Sequence, residues 1–174
     1  MEIWDLYDAQ RRLTGETMVR SDNVPQGRYH LVVEVVVFST DGRVLIQQRQ
    51  ASKESWPNYW SIASGGSALA GESSQDAAMR EVQEEIGLTL DLHDVRPRLT
   101  LHREKNFCDW YVVTKDVDPS TLTLQESEVQ AVRWATKEEV LRMIEEKTFI
   151  PHEPGFISLL FHLRDHLGTH TREE

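Results

Sequence analysis

Cysteine is nearly missing from this sequence. Cys108 is the single one, so neither an intramolecular disulfide nor a thiolate metal cage can form. Long apolar runs are missing too. The most apolar stretch, residues 31–38, is interrupted by Glu34 and falls far short of the ~20 residues that span a bilayer. The opening Met1-Glu2-Ile3-Trp4-Asp5 has neither a basic segment nor an apolar one, and no Pro/Gly/Ser-rich linker or internal repeat divides the chain. Positive charge is scarce as well: 19 Lys and Arg stand against 29 Asp and Glu, for a formal net charge of -10. A surface of that sign repels phosphate backbones, which disfavours nucleic-acid binding, and it repels small anions unless a cation bridges them. These absences leave the expectation of one domain over residues 1–174, soluble and cytoplasmic, with no membrane partner.

What is present suffices for a core. Of 174 residues 39% are hydrophobic, with five Trp, five Phe and four Tyr, which excludes a disordered chain. Residues 3–7 and 16–19 read as short strands, with residues 11–15 turning between them. Residues 31–38 are rich in Val and form a buried strand. Asp41-Gly42 is a hairpin signal leading back through residues 44–48. Residues 73–86 make the clearest helix: Ser73 caps its start with Asp76 three residues on, and Gly87 stands where a left-handed stop belongs. Residues 99–102, 109–114 and 129–134 read as further strands. Thr136 and Glu139 form a capping box for a helix to about residue 145, and residues 156–167 form a last helix ended by Gly168. Many strands and two or three helices predict a mixed α/β class with a sheet of mixed direction.

The first helix carries the chemistry. Steps of about 100° per residue set Glu84 near −60° and Glu85 near +40° from Glu81, so three carboxylates share one arc. Ala78, Met79, Val82 and Ile86 form the neighbouring stripe that can pack on a sheet. Arg80 lies one turn before Glu84. Like charges at this spacing cost a helix about 0.2–0.5 kcal/mol per pair. A hard divalent cation reverses that sign, and Mg²⁺ prefers a few carboxylates plus substrate phosphates. Such an ion would also bridge an anionic ligand to an acidic protein. Taken alone, three helical glutamates read more simply as a solvated acidic face.

They are not alone. Gly66, five residues, Glu72, seven residues, then Arg80-Glu81-Val82-Gln83-Glu84-Glu85-Ile86-Gly87-Leu88 match every specified position of G-x5-E-x7-R-E-U-x-E-E-x-G-U, with U a bulky aliphatic. Seven fixed residue types would agree by chance about once in a million sequences. The sequence therefore resembles the Nudix hydrolases, and residues 66–88 are its Nudix box. The resemblance implies an α/β/α sandwich around a mixed β-sheet, here with an N-terminal strand hairpin in residues 1–27. It implies that Glu81, Glu84 and Glu85 hold Mg²⁺, or Mn²⁺ in its place. Glu72 would assist, Gly65 or Gly66 would add a carbonyl, and Arg80 would orient the acids. It implies hydrolysis of a phosphoanhydride bond in a small diphosphate molecule, with Glu81, Glu84 and Arg80 as catalytic residues. Glu84 ranks first as the base that deprotonates water, ahead of Glu126 and Glu128. Arg49 and Lys53 are candidate substrate-binding cations, and a homodimer is compatible with the family.

The similarity extends beyond the box. Trp4-Asp5-Leu6-Tyr7-Asp8, Gly15, Gln48-Arg49, Lys53 and Trp56-Pro57-Asn58-Tyr59-Trp60 resemble the branch related to isopentenyl-diphosphate isomerase. Those isomerases place a catalytic Cys soon after the Trp that matches Trp60, then a Gly and a metal-binding His. This chain has Gly65, Gly66 and Ser67 there, and Cys108 does not match. Without the thiol, isomerisation has no acid, so hydrolysis is expected. A ligand sensor without catalysis is the third alternative. His30 could match another isomerase ligand, although a lone His at a strand start is more often structural. Trp56, Trp60, Phe107, Trp110 and Tyr111 could stack a nucleobase or simply build the core. The box reads the diphosphate and not the group attached to it.

Overall fold

The computed structural model describes residues 2–168 and 170. Among the described residues, nine strands run in order: β1 (Ile3–Tyr7), β2 (Leu13–Val19), β3 (His30–Phe38), β4 (Val44–Arg49), β5 (Trp60–Ser61), β6 (Ser64–Ser67), β7 (Leu99–His102), β8 (Asn106–Thr114) and β9 (Val129–Ala135). The same residues form the helices α1 (Ser74–Ile86), α2 (Lys137–Glu145) and α3 (Pro154–Asp165), with a 3-10 turn at Pro119–Thr121. β1 and β2 form a separate antiparallel hairpin. The other strands make a mixed sheet of order β5-β4-β3-β8-β7, with β6 beside β3 and β9 beside β4. The mixed α/β class with an N-terminal hairpin is therefore as expected.

Two compact units make up the chain. The first comprises Met1–Val35, Gly65–Gln83 and Thr89–Tyr111. Its hairpin turns at Asp8, whose Oδ1 accepts the N–H groups of Gln10 and Arg12 at 2.9 and 3.0 Å. Gly15, expected in that turn, lies inside β2 instead. The register passes from Asp5↔Thr17 to Tyr7↔Leu13, so β2 carries extra residues there, and Gly15 takes them up at φ 79°. Trp4, Leu6 and Met18 bury the hairpin's inner face, with Val24 and Leu69 against them. The hairpin also holds the loop that precedes α1: Ala70 N–H donates to Ile3 C=O at 2.8 Å and Gly71 N–H to Asp5 Oδ2 at 2.7 Å.

The second unit comprises Val36–Ser64, Glu84–Leu88 and Val112–Glu174. β4 is its backbone, paired with β9 from Val44↔Ala135 to Arg49↔Val129. The Asp41-Gly42 turn forms as expected, with Gly42 at φ 92°. Thr136 and Glu139 close the predicted capping box on α2. α3 differs at both ends. It starts at Pro154, whose missing N–H costs nothing in a first turn, and stops at Asp165 before Gly168. β5 and β6 escaped the sequence reading because two and four residues are too short to display a period.

α1 forms as its ends dictate. Ser73 Oγ accepts the Asp76 N–H and Asp76 Oδ2 accepts the Ser73 N–H, both at 3.1 Å, and Gly87 ends the helix at φ 68°. Ala77, Ala78, Val82 and Ile86 are buried on it.

Candidate active site

In the first unit the box residues meet around a guanidinium. Arg80 Nε and Nη2 donate to the two oxygens of Glu72 at 2.8 and 3.0 Å, and Nη1 donates to Glu81 Oε1 at 2.9 Å. Nη2 also donates to the Ser67 carbonyl at 3.1 Å, and Leu69 N–H donates to Glu72 Oε2 at 2.8 Å. The Glu72 hydrogen bonds, opposed by burial and helped by the charge of Glu81, hold the Arg80 pKa above its ordinary value. The glycines of β6 make this approach possible. A Cβ on Gly66 would lie 2.4 Å from Glu81 Oε1, and one on Gly65 would lie 2.1 Å from the Val33 carbonyl. At Gly65 the obstacle is backbone and only glycine fits, whereas a side chain at Gly66 would displace the Glu81 carboxylate.

In the second unit Glu85 is 8% exposed and its Oε2 accepts the Gln47 amide at 2.9 Å. The Glu85 carbonyl accepts the Gln125 N–H at 2.9 Å. That bond ties the end of α1 to the loop carrying Glu126 and Glu128. Lys53 Nζ is paired with Glu128 at 2.5 Å, and Arg49 Nε donates to the Ser55 carbonyl at 3.0 Å. The candidate substrate cation Lys53 and the candidate base Glu128 are thus each other's partners. α1 is uninterrupted from Ser74 to Ile86, so one helix carries Glu81, Glu84 and Glu85 in graded settings: Glu84 exposed, Glu81 half-buried, Glu85 buried.

Among the described residues, no three His, Cys, Asp or Glu side chains are gathered into a ready metal-binding group. The box does supply carboxylate oxygens and no softer donor, which is the donor chemistry of a hard divalent cation. Other aromatic and thiol candidates leave the site. Phe107, Trp110 and Tyr111 are fully buried and cannot stack on a base. Cys108 is buried on β8, where burial, with the Glu34 charge, pushes its thiol up to about 12. His30 is buried and stacks on Trp4 with ring centroids 4.5 Å apart, and burial lowers its pKa. Trp56 stays exposed beside Tyr59, with ring centroids 5.3 Å apart. Sequence reasoning missed Gln47 and Ser64 altogether. The one available signal was a polar residue following the buried run Val44-Leu45-Ile46.

A loop–helix–loop bearing this box on a mixed sheet defines a Nudix-type fold. A crystal structure of a Deinococcus radiodurans protein has the same fold, with TM-score 0.72, 23% identity, and coverage of 93% of this chain and 99% of that one. Residues 28–159 match the NUDIX domain model. The chain is 46% identical over 170 residues to a Nudix hydrolase of Listeria monocytogenes, across 98% of this chain and 99% of the relative. It is also 30% identical over 148 residues to an isopentenyl-diphosphate Delta-isomerase of Kocuria rhizophila, across 80% of this chain and 81% of the other. The chain belongs to the Nudix family and is a Nudix-type hydrolase, an enzyme acting on pyrophosphate bonds. Enzymes of this family generally use divalent metals. Among the described residues, no helix is long and apolar enough to cross a membrane.

Proposed function

We propose that this hydrolase cleaves a phosphoanhydride bond of a small diphosphate-linked molecule by attack of water at phosphorus. Mg²⁺, or Mn²⁺ in its place, is held by Glu81, Glu84 and Glu85, with Glu72 assisting and the Gly65 carbonyl adding a ligand. The observation that carries this reading is the Arg80 guanidinium bound to Glu72 and Glu81 while the Glu81 carboxylate lies on the Gly66 backbone. When bound, the ion neutralises the diphosphate, lowers the pKa of water and stabilises the leaving phosphate.

The chain's own groups do the rest. Arg80 orients Glu72 and Glu81. Glu84, the most exposed acid of the arc, accepts the proton of the attacking water. Arg49 and Lys53 meet the substrate's phosphates, for which Lys53 leaves Glu128. Isomerisation is disfavoured because the place of the isomerase thiol is occupied by Gly65, where no side chain fits.

Glu85→Gln tests the reading. It should weaken Mn²⁺ binding measured by calorimetry and lower turnover on a panel of diphosphates by about 10²–10³-fold, the usual cost of one electrostatic group in a preorganised site. The thermal unfolding of the metal-free protein should change little by comparison. Unchanged Mn²⁺ affinity in the folded variant would remove Glu85 from the metal site.

A further inference from the structure

Two carboxylates of the arc take hydrogen bonds from the protein. Glu81 accepts from the Arg80 guanidinium, and Glu85 accepts from the side-chain amide of Gln47. Gln47 is 7% exposed, and each atom of its amide is engaged. Its Nε2 donates to Glu85 Oε2 at 2.9 Å and to the Ala63 carbonyl at 3.1 Å. Its Oε1 accepts the hydroxyl of Ser64, itself 5% exposed, at 2.9 Å. Turning the amide over would set its oxygen against two other oxygens at about 3 Å, an unfavourable contact. The N–H₂ group is therefore obliged to point at Glu85.

A buried carboxylate needs such a donor, since burying it without one costs several kcal/mol. A Lys or Arg in this place would also satisfy it, but would neutralise the charge and repel a cation. An amide fixes the carboxylate and leaves its charge intact for a metal. Ala63 precedes β6 and Ser64 is its first residue, so the chain just after β5 serves to lock the amide.

We infer that Gln47 is the positioning residue of Glu85, setting its carboxylate in the orientation in which it holds the divalent ion. This rests on the metal-holding role proposed above for Glu85. Groups that orient a metal ligand typically change metal affinity or activity by about 10–100-fold when removed.

The experiment measures Mn²⁺ affinity by electron paramagnetic resonance for the wild type, Gln47→Met, Ser64→Ala, Glu85→Gln and the Gln47→Met/Glu85→Gln double variant, with thermal melting of each. Gln47→Met keeps the volume and removes the donor, and should weaken Mn²⁺ binding by about 10–100-fold. Ser64→Ala removes the donor to the amide oxygen, loosens the amide, and should weaken binding in the same direction, by a smaller factor. In the Glu85→Gln background the further effect of Gln47→Met should shrink to less than about two-fold, because it acts through the missing carboxylate. Full Mn²⁺ affinity in a folded Gln47→Met protein, or an equal loss with and without Glu85, overturns the inference. If Gln47→Met fails to fold, wild-type affinity in Ser64→Ala overturns it instead. A Glu85→Gln protein that binds Mn²⁺ normally is a separate outcome, and refutes the proposed metal site itself.

Discussion

Asp109 illustrates how a single side chain couples distant segments. It is fully enclosed on β8 and accepts both arms of Arg11, the Ser74 hydroxyl at 2.6 Å and the Thr100 hydroxyl at 2.6 Å. Tyr111 donates to Ser74 Oγ at 2.8 Å, so the hairpin, two strands and the first residue of α1 meet at one carboxylate. Burial by itself would raise its pKa, but the hydrogen bonds from Arg11, Ser74 and Thr100 outweigh it and hold the carboxyl below its ordinary value. A depressed folded-state pKa contributes stability above the unfolded value near 4 and loses it as pH falls through the folded one. Arg11→Leu should therefore cost about 3–5 kcal/mol at neutral pH, the usual result of stranding a buried charge. Urea unfolding at about pH 7 and again at about pH 3 should show the gap between wild type and variant narrowing in acid. A gap of the same size at both values would mean that Arg11 contributes packing alone.

At the scale of elements, the two ends of α1 decide whether its acids are presented. The start rests on the reciprocal Ser73–Asp76 bonds, and the stop rests on Gly87 at φ 68°. A Cβ at Gly87 would come within 3.0 Å of the backbone nitrogen and oxygen of Thr123. That loop continues to Gln125, whose N–H bonds the Glu85 carbonyl. Gly87→Ala should destabilise by about 1–3 kcal/mol, from a left-handed conformation that alanine resists and from a tight backbone neighbour. Calorimetry should register a fall in melting temperature of roughly 2–10 °C. Melting within about one degree of wild type would mean that the loop gives way freely and that the stop is not held. Most of this element was legible: caps, length and the buried stripe all follow from local spacing. The N-terminal hairpin was legible only in outline, because a glycine in a bulge and a glycine in a turn look alike until the register is known.

At the scale of the whole molecule, the question is which reaction the fold performs. The chain has a hydrolase relative and an isomerase relative in the same family. Isomerisation requires a group that protonates carbon. The only thiol is buried on β8 and held neutral, and a Cβ on Gly65 would collide with the Val33 carbonyl. Isopentenyl diphosphate incubated with the enzyme in heavy water should therefore be recovered without deuterium. Once a substrate is found, hydrolysis in ¹⁸O-water should place the label on a phosphate oxygen and not on carbon. Deuterium in the recovered isoprenoid would overturn the preference for hydrolysis over isomerisation, and label on carbon would sink direct attack at phosphorus.

Sequence alone determined the family, the mixed α/β class, the acidic helix and its caps. Each depends on residues close together in the chain, where helical spacing, capping and a fixed motif act without help from the rest of the protein. Only the tertiary structure decided which further groups hold the buried acids. Gln47 reaches Glu85 from 38 positions away, and Arg11 reaches Asp109 from 98. It also decided that Phe107, Trp110 and Tyr111 are core, and that Lys53 is held by Glu128. Hydrogen bonds and burial of this kind depend on which strands become neighbours, and no local spacing encodes that.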